Sequence, residues 1–182
     1  LVLGGSQGAL RINDTVLDAL PELVKNYQVI HQTGRKHFKE VKGTAEVVLG
    51  QSASKNRYKP FDYLDLLAMR MSAGAANLVV SRAGSQIFEI ASWEVPSIIV
   101  PIPEGVSHDQ TKNAFNYARS GAGVVIEENN LSAEVLLSEV NRIMNDKSVQ
   151  EKMKTEAKNF AKPNAASAIA HAILDIGLSH EK

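Results

Sequence analysis

Apolar and polar positions follow one another along this chain in two distinct rhythms. Short runs of β-branched residues and leucine predict strands, and the longer segments between them repeat their apolar positions with the period of an α-helix. The predicted strands cover residues 1–3, 28–31, 46–49, 78–81, 97–101 and 123–126. The predicted helices between them cover residues 9–20, 36–41, 64–76, 85–93 and 110–120. This alternation predicts an α/β fold with a doubly wound, mostly parallel, six-stranded Rossmann-like sheet.

The pattern changes after residue 126, where only helical periodicity continues. Ser132 is expected to cap a first helix, and helices over residues 151–160 and 165–176 are expected to follow it. Because no repeat or low-complexity linker interrupts the chain, we expect residues 1–182 to form a single domain with extra C-terminal helices. Leu1 already belongs to an apolar strand, and we therefore expect the chain to be the C-terminal part of a longer protein.

The composition of the chain mainly excludes certain partners and certain kinds of chemistry. The 182 residues hold 20 Lys and Arg and 20 Asp and Glu, so no net charge favours nucleic acid as a partner. The absence of cysteine excludes disulfides and thiolate metal ligands, and it fits a reducing cytoplasm. No apolar run is long enough to span a bilayer. We expect a cytoplasmic protein that is soluble or at most peripheral on a membrane.

The first candidate site is the turn that follows the first strand, because open parallel sheets bind ligands beyond the carboxyl ends of their strands. This turn is Gly4-Gly5-Ser6-Gln7-Gly8-Ala9. Glycines permit positive φ and a close approach to phosphate, and the N-terminus of the next helix attracts an anion. The spacing matches neither the dinucleotide-binding fingerprint nor the P-loop. From this motif alone, a diphosphate site and a tight turn without a ligand both stay open.

A second glycine turn follows the fourth predicted strand, in Ser81-Arg82-Ala83-Gly84-Ser85-Gln86-Ile87-Phe88-Glu89. The helix start at Ser85 and Gln86 could hold a second part of a phosphate. Glu89, about one turn into the helix, could accept hydrogen bonds from the two vicinal hydroxyls of a ribose. The alternatives are a solvated acid that the helix dipole favours for Glu89, and a structural pairing role for Arg82.

The third candidate is the helix that begins beyond the fifth predicted strand. Gln110 and Asn113 lie about one turn apart on one face of this helix. Their amide groups both donate and accept hydrogen bonds, as the recognition of sugar hydroxyls requires. The alternative is an ordinary capped helix, with Ser107 or Asp109 as the cap and both amides in solvent.

Four motifs follow one another along the chain. They are Gly4-Gly5-Ser6-Gln7-Gly8-Ala9, His31-Gln32-Thr33-Gly34, Ser81-Arg82-Ala83-Gly84 with Glu89, and Gln110 with Asn113-Ala114. In this order they resemble the C-terminal half of the MurG family of UDP-N-acetylglucosamine transferases, which act on undecaprenyl-diphosphate-linked N-acetylmuramyl pentapeptide. The resemblance implies a GT-B architecture of two Rossmann-like domains across a cleft. This chain would be the donor-binding domain, and the absent N-terminal domain would bind the lipid-linked acceptor.

The resemblance also implies roles for individual positions. The implied donor-binding residues are Gly5, Ser6, Gln7, Gly8, Arg82, Gly84, Ser85, Gln86, Glu89, Gln110 and Asn113. Both glycine turns would lie near the diphosphate of UDP-N-acetylglucosamine, Glu89 near the ribose, and the two amides near the N-acetylglucosamine. The uracil would lie against the segment Phe61, Asp62 and Tyr63.

Two departures from the family pattern concern this site. The family's Asp-His-Gln is written here as His108-Asp109-Gln110, and the segment from Gly84 to Glu89 is one residue shorter than in common members. A one-residue deletion in a helix rotates the later side chains by about 100°. The position of Glu89 therefore depends on how the turn adjusts.

The family's reaction is an inverting transfer, in which the C4 hydroxyl of the muramyl sugar attacks the anomeric carbon as UDP leaves. The general base is expected from the N-terminal domain, so we expect no catalytic residue in this half. No Asp-x-Asp motif occurs, so we expect neither a metal nor a cofactor here, the UDP-sugar being a substrate. The resemblance places the parent enzyme peripherally on the inner face of the bacterial membrane.

Three other functions stay open from the sequence. The first is the donor-binding domain of another GT-B enzyme, such as a glycolipid synthase or a UDP-sugar epimerase. The second is a non-catalytic nucleotide-sugar-binding subunit that needs a partner chain. The third is a Rossmann module for NAD, which His31-Gln32 at the end of the second strand disfavours because an acidic residue is usual there.

Overall fold

Six strands lie side by side in one sheet in the computed structural model, which describes residues 1–5, 8–103, 105–106 and 108–179. The strands are β1 (Val2–Leu3), β2 (Val29–Gln32), β3 (Tyr58–Phe61), β4 (Val79–Ser81), β5 (Ser97–Ile99) and β6 (Gly123–Val125). All neighbours pair in parallel, in the order β3-β2-β1-β4-β5-β6. This order is that of a doubly wound Rossmann sheet, so the predicted fold class is confirmed.

Helices cover both faces of this sheet. Within the described residues they are α1 (Leu10–Asn26), α2 (Phe38–Leu49), α3 (Leu66–Ala75), α4 (Gln86–Ser92), α5 (His108–Arg119), α6 (Ala133–Met144), α7 (Lys147–Phe160) and α8 (Ala165–Ser179). Strand side chains alternate between two buried apolar clusters, because successive residues of a strand point to opposite faces. Val2 and Ile98 belong to the cluster under α1, α2 and α6, whereas Leu3 and Ile99 belong to the cluster under α4 and α5.

The predicted strand over residues 46–49 is wrong, because these residues form the last turn of α2. Val41, Ala45 and Leu49 are buried at helical spacing, while Val47 is 81% exposed. The third strand is instead Tyr58–Phe61, at the edge of the sheet. Strand propensity alone does not predict this strand, because it contains Pro60. Proline lacks the N–H group that pairs with a neighbouring strand, but an edge strand tolerates this loss.

Helix α1 is longer than its predicted range of 9–20. It continues through Pro21 to Asn26, because Leu23 and Val24 are buried in its last turns. Burial of these two side chains offsets the loss of about 3 kcal/mol that a proline causes inside a helix. Near the other end of the chain, the hydroxyl of Ser132 accepts a hydrogen bond from the amide of Val135, which confirms the predicted cap of α6. In the described part of the chain, no helix combines the length and the apolar character needed to cross a bilayer.

Candidate functional site

The glycine turns after β1 and β4 leave the sheet next to each other. Leu3 pairs with Ser81, and Ser81 pairs with Ile99, so the exits of three neighbouring strands lie at one level of the sheet. Both turns open into a single cavity of about 380 Å³. Its lining consists of Gly4, Gly5, Gly8, Ala9, Leu10, Arg82, Gly84, Ser85, Gln86 and Ile102. The two turns that the sequence singled out therefore form one site.

Two positions in the first turn require glycine. At Gly4, a Cβ atom would lie 2.8 Å from the carbonyl oxygen of Gln32, and the amide of Gly4 donates to that same oxygen at 2.9 Å. Gly8 has a φ of +85°, and its Cβ atom would lie 2.6 Å from the carbonyl oxygen of Thr33. The turn thus packs directly on the loop that follows β2, with no room for side chains on that side.

The N-terminus of α1 lies at this cavity, which Gly8, Ala9 and Leu10 help to line. Its N-cap residue is Ala9, which has no side-chain oxygen, and no acidic residue lies in the first turn. Within the described part of the chain, Asn13 is the first residue of this helix whose amide donates to a backbone carbonyl, that of Ala9. The preceding amides and the helix dipole together favour an anion here.

The β4–α4 turn supplies the opposite wall of the cavity. Ser81 Oγ donates to Gln86 Oε1 at 3.3 Å, which fixes the side chain of Gln86 at the start of α4. Ser85 is exposed and its side chain caps no amide. Ser85 and Gly84 both line the cavity, and the carbonyl of Gly84 accepts a hydrogen bond from the amide of Ile87 at 3.2 Å.

Arg82 ties the exits of β4 and β5 together. Its guanidinium donates to the carbonyl oxygens of Val100 at 3.3 Å and Pro101 at 3.2 Å, and it forms an ion pair with Glu128. The side chains of Arg82 and Glu128 are only 19% and 23% exposed. These contacts are those of the structural pairing role, while other atoms of Arg82 line the cavity.

Gln110 and Asn113 reach back from α5 to the same region. Gln110 Oε1 accepts a hydrogen bond from the amide of Ile102 at 3.4 Å, and Asn113 Nδ2 donates to the carbonyl of Ala83 at 3.3 Å. Each of these two hydrogen bonds uses only one of the donors and acceptors that a carboxamide group has. The two residues thus hold the loops after β4 and β5 in place beside the cavity.

The other predicted site residues lie at three different places. Glu89 is exposed on α4, one turn beyond Gln86, and is not part of the cavity lining. Phe61 ends the edge strand β3 and Asp62 and Tyr63 follow it; because β2 separates this strand from β1, the three residues do not line the cavity. Ser6, Gln7 and the alternative cap Ser107 lie outside the described residues.

A buried polar network supports the first glycine turn from below. His31 Nδ1 lies 2.9 Å from the hydroxyl of Tyr58, and His31 Nε2 lies 3.1 Å from Asn13 Oδ1. Asn13 Nδ2 in turn donates to the carbonyl of Thr33 at 3.0 Å, the oxygen on which Gly8 packs. Burial lowers the pKa of His31 to about 3 and raises the pKa of Tyr58. The motif His31-Gln32-Thr33-Gly34 pointed to this region, but no sequence pattern paired it with Asn13.

The described residues bring together no group of three or more His, Asp or Glu side chains that could hold a metal ion. The lining of the cavity itself offers backbone amides, a serine hydroxyl and side-chain amides, which are groups that bind an anion with polar substituents.

The chain belongs to the family described as the glycosyltransferase family 28 C-terminal domain, which it matches over residues 1–169. It is 37% identical over its full length to a UDP-N-acetylglucosamine--N-acetylmuramyl-(pentapeptide) pyrophosphoryl-undecaprenol N-acetylglucosamine transferase of Limosilactobacillus reuteri, of which it covers 49%. It is 36% identical, over 97% of its length, to the protein of the same name from Listeria monocytogenes, of which it covers 47%. The chain thus spans about half the length of the curated relatives it matches.

Solved structures show the same fold. The crystal structure of Acinetobacter baumannii MurG superimposes with a TM-score of 0.78 at 24% identity, covering 96% of this chain and 48% of that one. The co-structure of S. aureus MnaA with UDP superimposes with a TM-score of 0.70 at 14% identity, covering 90% of this chain and 41% of that one. The fold is therefore the Rossmann-like α/β fold of the regions that superimpose in these two structures.

Proposed function

We propose that this chain is the UDP-N-acetylglucosamine-binding domain of an inverting N-acetylglucosaminyltransferase of peptidoglycan synthesis. The observation that carries the proposal is the single cavity between the two glycine turns, where the N-terminus of α1 and the β4–α4 turn meet at one level of the sheet. Its volume of about 380 Å³ suits part of a nucleotide-sugar. The names of the full-length relatives give the donor and the acceptor class.

The diphosphate of the donor occupies this cavity in the proposed complex. The first amides of α1 and the backbone at Gly84 donate hydrogen bonds to its oxygens, and the Ser85 hydroxyl adds another donor. As the bond to the sugar breaks, negative charge grows on the leaving UDP, and these fixed donors stabilise it without reorganising. This electrostatic role needs no metal, and we propose that donor binding is metal-independent.

The rest of the donor extends from the cavity in two directions. The ribose lies toward Glu89, one turn along α4 from Gln86, so that the exposed carboxylate accepts hydrogen bonds from the vicinal hydroxyls. The N-acetylglucosamine lies toward Gln110 and Asn113, whose remaining donors and acceptors read its hydroxyls. Phe61, Asp62 and Tyr63 stay our proposed uracil region, which requires the base to reach past the exit of β2 toward the edge strand.

The whole enzyme requires a second domain in this proposal. That domain supplies the general base, the acceptor site and the second wall of the cleft, and the parent protein works peripherally at the inner face of the cell membrane, where its lipid-linked acceptor lies. The 182-residue chain should therefore bind donor weakly and transfer no sugar, because half of the contacts and of the water exclusion are missing.

Calorimetry on the 182-residue chain tests the donor site directly. We expect heat of binding for UDP and UDP-N-acetylglucosamine, weaker binding for ADP, and no change when EDTA is present. Equal heats for all three nucleotides, or none for any of them, would sink the donor assignment. Loss of binding in EDTA would overturn the metal-independent part alone.

A UDP-sugar epimerase is the second candidate, because a Listeria monocytogenes structure named for a UDP-N-acetylglucosamine 2-epimerase shares the fold at a TM-score of 0.69. Its identity of 17% is far below the 37% shared with the transferase of L. reuteri, which favours the transferase. Assays of the parent protein distinguish the two. An epimerase converts UDP-N-acetylglucosamine without an acceptor, whereas a transferase releases UDP only when a lipid-linked muramyl acceptor is present.

A further inference from the structure

The motif His31-Gln32-Thr33-Gly34 lies between the first glycine turn and the uracil region. Strand β2, which ends at Gln32, pairs with β1 on one side and with β3 on the other. Gln32 is 2% exposed and Thr33 is fully buried, and neither residue lines the cavity of the donor site. The proposed donor must extend past the end of β2 to reach from the cavity to the uracil region. These two residues can therefore affect donor binding only through the loops that they hold.

Gln32 directs its two oxygen atoms to different neighbours. Its backbone carbonyl accepts a hydrogen bond at 2.9 Å from the amide of Gly4, which belongs to the first glycine turn. Its side-chain Oε1 accepts a hydrogen bond at 2.9 Å from the amide of Leu64, the residue directly after the uracil region. Leu64 is itself buried, so this contact is shielded from water. A single buried residue thus joins the first glycine turn to the uracil region.

Thr33 makes a second connection of the same kind. Its amide and its hydroxyl both donate to the carbonyl of Phe61, at 2.9 Å and 3.1 Å. Its own carbonyl accepts a hydrogen bond from Asn13 Nδ2 at 3.0 Å and is the oxygen on which Gly8 packs. The uracil region is therefore held at both ends, at the carbonyl of Phe61 by Thr33 and at the amide of the residue that follows the region by Gln32.

The other contacts of the uracil region are weak by comparison. Asp62 and Tyr63 are exposed, and the hydrogen bond between Asp62 Oδ1 and the amide of Tyr63 lies within the region itself. The guanidinium of Arg35 lies 5.0 Å from the ring centroid of Tyr63, but both residues are exposed, and exposed cation–π contacts contribute little. Because β3 is the edge strand of the described sheet, only β2 supports the region from the side. Its position relative to the cavity therefore depends mainly on Gln32 and Thr33.

We propose that Gln32 is a positioning residue for selection of the base, which holds the uracil region at the correct distance from the diphosphate cavity, with Thr33 as its second support. This inference rests on the proposed function. A nucleoside diphosphate has a limited reach, so its base and its diphosphate bind together most tightly when the two loops are already held at a matching separation. A buried glutamine with a purely structural role would affect stability but not the preference for one base over another.

Calorimetry of the 182-residue chain with UDP and with ADP tests this proposal. Both ligands place a diphosphate in the cavity, but only UDP uses the uracil region. Gln32→Met keeps the length of the side chain and the backbone carbonyl that holds Gly4, but it removes the acceptor of the Leu64 amide. This variant should lower the affinity for UDP on the order of 10-fold and the affinity for ADP by less than about twofold. The ratio of the two affinities is therefore the quantity to measure.

Three further variants complete the experiment. Gln28→Met makes the same substitution at an exposed glutamine just before β2 and should bind both ligands as the unchanged chain does. Gln32→Glu keeps an acceptor oxygen for the amide of Leu64, so it should keep the UDP-to-ADP ratio even though its charge weakens the binding of both anions. Thr33→Val removes the hydroxyl but keeps the backbone bond to Phe61, and it should lower the affinity for UDP about threefold. Circular dichroism confirms that each variant is folded.

Three results would overturn the positioning role while leaving the donor site in place. They are an unchanged UDP-to-ADP ratio in the folded Gln32→Met and Thr33→Val variants, an equal fall of the ratio in Gln28→Met, and an equal fall in Gln32→Glu. Gln32 would then be a residue that contributes to stability alone. Equal affinity of the unchanged chain for UDP and ADP is a different outcome, because it would overturn the proposed function and this inference together.

Discussion

His31 Nε2 lies 3.1 Å from Asn13 Oδ1, inside the core and directly below the first glycine turn. Because the carboxamide oxygen only accepts and Asn13 Nδ2 already donates to Thr33, the proton of the neutral imidazole must lie on Nε2. His31 Nδ1 then accepts from the hydroxyl of Tyr58. The network is satisfied only while the imidazole is neutral, which agrees with its lowered pKa of about 3.

This network makes stability depend on pH in a defined window. The unfolded chain protonates His31 near pH 6.5, whereas the folded chain holds it neutral down to about pH 3. The contribution of His31 is therefore complete above pH 6.5 and is lost as the pH falls toward 3. Within that window the free energy of unfolding should fall by about 1.4 kcal/mol for each pH unit because of this residue. Urea unfolding at a series of pH values measures it.

Comparison with two variants isolates the effect of His31 from that of the carboxylates. His31→Gln should be less stable at neutral pH but should lack the extra slope between pH 6.5 and 4. His171→Gln, which changes an exposed histidine of α8, should keep that slope. Parallel curves for His31→Gln and the unchanged chain would contradict the assignment.

Gly8 should be the least replaceable residue of the first turn. Gly8→Ala places a Cβ atom 2.6 Å from the Thr33 carbonyl at a φ of +85°. The positive φ alone costs about 1 to 2 kcal/mol, and the backbone overlap adds to it. We expect a lower free energy of unfolding and a weaker affinity for UDP, because the turn that lines the cavity must move.

The control for this substitution is Gly43→Ala. Gly43 lies inside α2, and a Cβ atom there would meet nothing within 4 Å. Alanine should stabilise the helix by about 0.5 to 1 kcal/mol and leave UDP binding unchanged. A Gly8→Ala variant that is as stable as Gly43→Ala would show that the turn adapts freely.

The sheet and its glycine turns could be predicted from the sequence because their signals are local. Buried central strands are continuous apolar runs, and glycines mark the turns that follow them. The edge strand broke this rule, since Lys59 and Pro60 lie where an apolar run would be expected in a central strand. Val47 and Val48 caused the opposite error, a strand predicted where the chain forms a helix, because a short apolar run fits a strand or a helix equally well.

The side-chain contacts of the site could not be predicted in the same way. Asn113 reaches Ala83 over 30 positions of sequence, and Arg82 reaches Glu128 over 46, so only the assembled fold brings these groups together. Two roles for Arg82 were open from the sequence, and its ion pair and two carbonyl contacts favour the structural one. The orientation of Glu89 depends on the conformation of the short turn before α4, and the spacing of residues in the sequence does not determine that conformation.

The pair of Arg82 and Glu128 should couple strongly in a double-mutant cycle. Arg82→Met leaves a mostly buried carboxylate without its partner and should cost roughly 1 to 3 kcal/mol of stability. Glu128→Gln should cost less, and the double variant should cost less than the sum of the two. Urea unfolding of the four proteins measures the coupling. Strict additivity would mean that the ion pair contributes nothing.

Substitution of Glu89 tests most directly how the proposed donor lies in the site. If its carboxylate accepts hydrogen bonds from the ribose, Glu89→Ala should lose roughly 1 to 3 kcal/mol of UDP affinity in calorimetry. The same variant should lose little affinity for 2′-deoxy-UDP, because that ligand already lacks one of the two hydroxyls. Glu46→Ala, an exposed acid of α2 away from the cavity, should bind both ligands as the unchanged chain does. An equal loss for UDP and 2′-deoxy-UDP would assign Glu89 a general electrostatic effect, and no loss for either would return it to a solvated acid on the surface of α4.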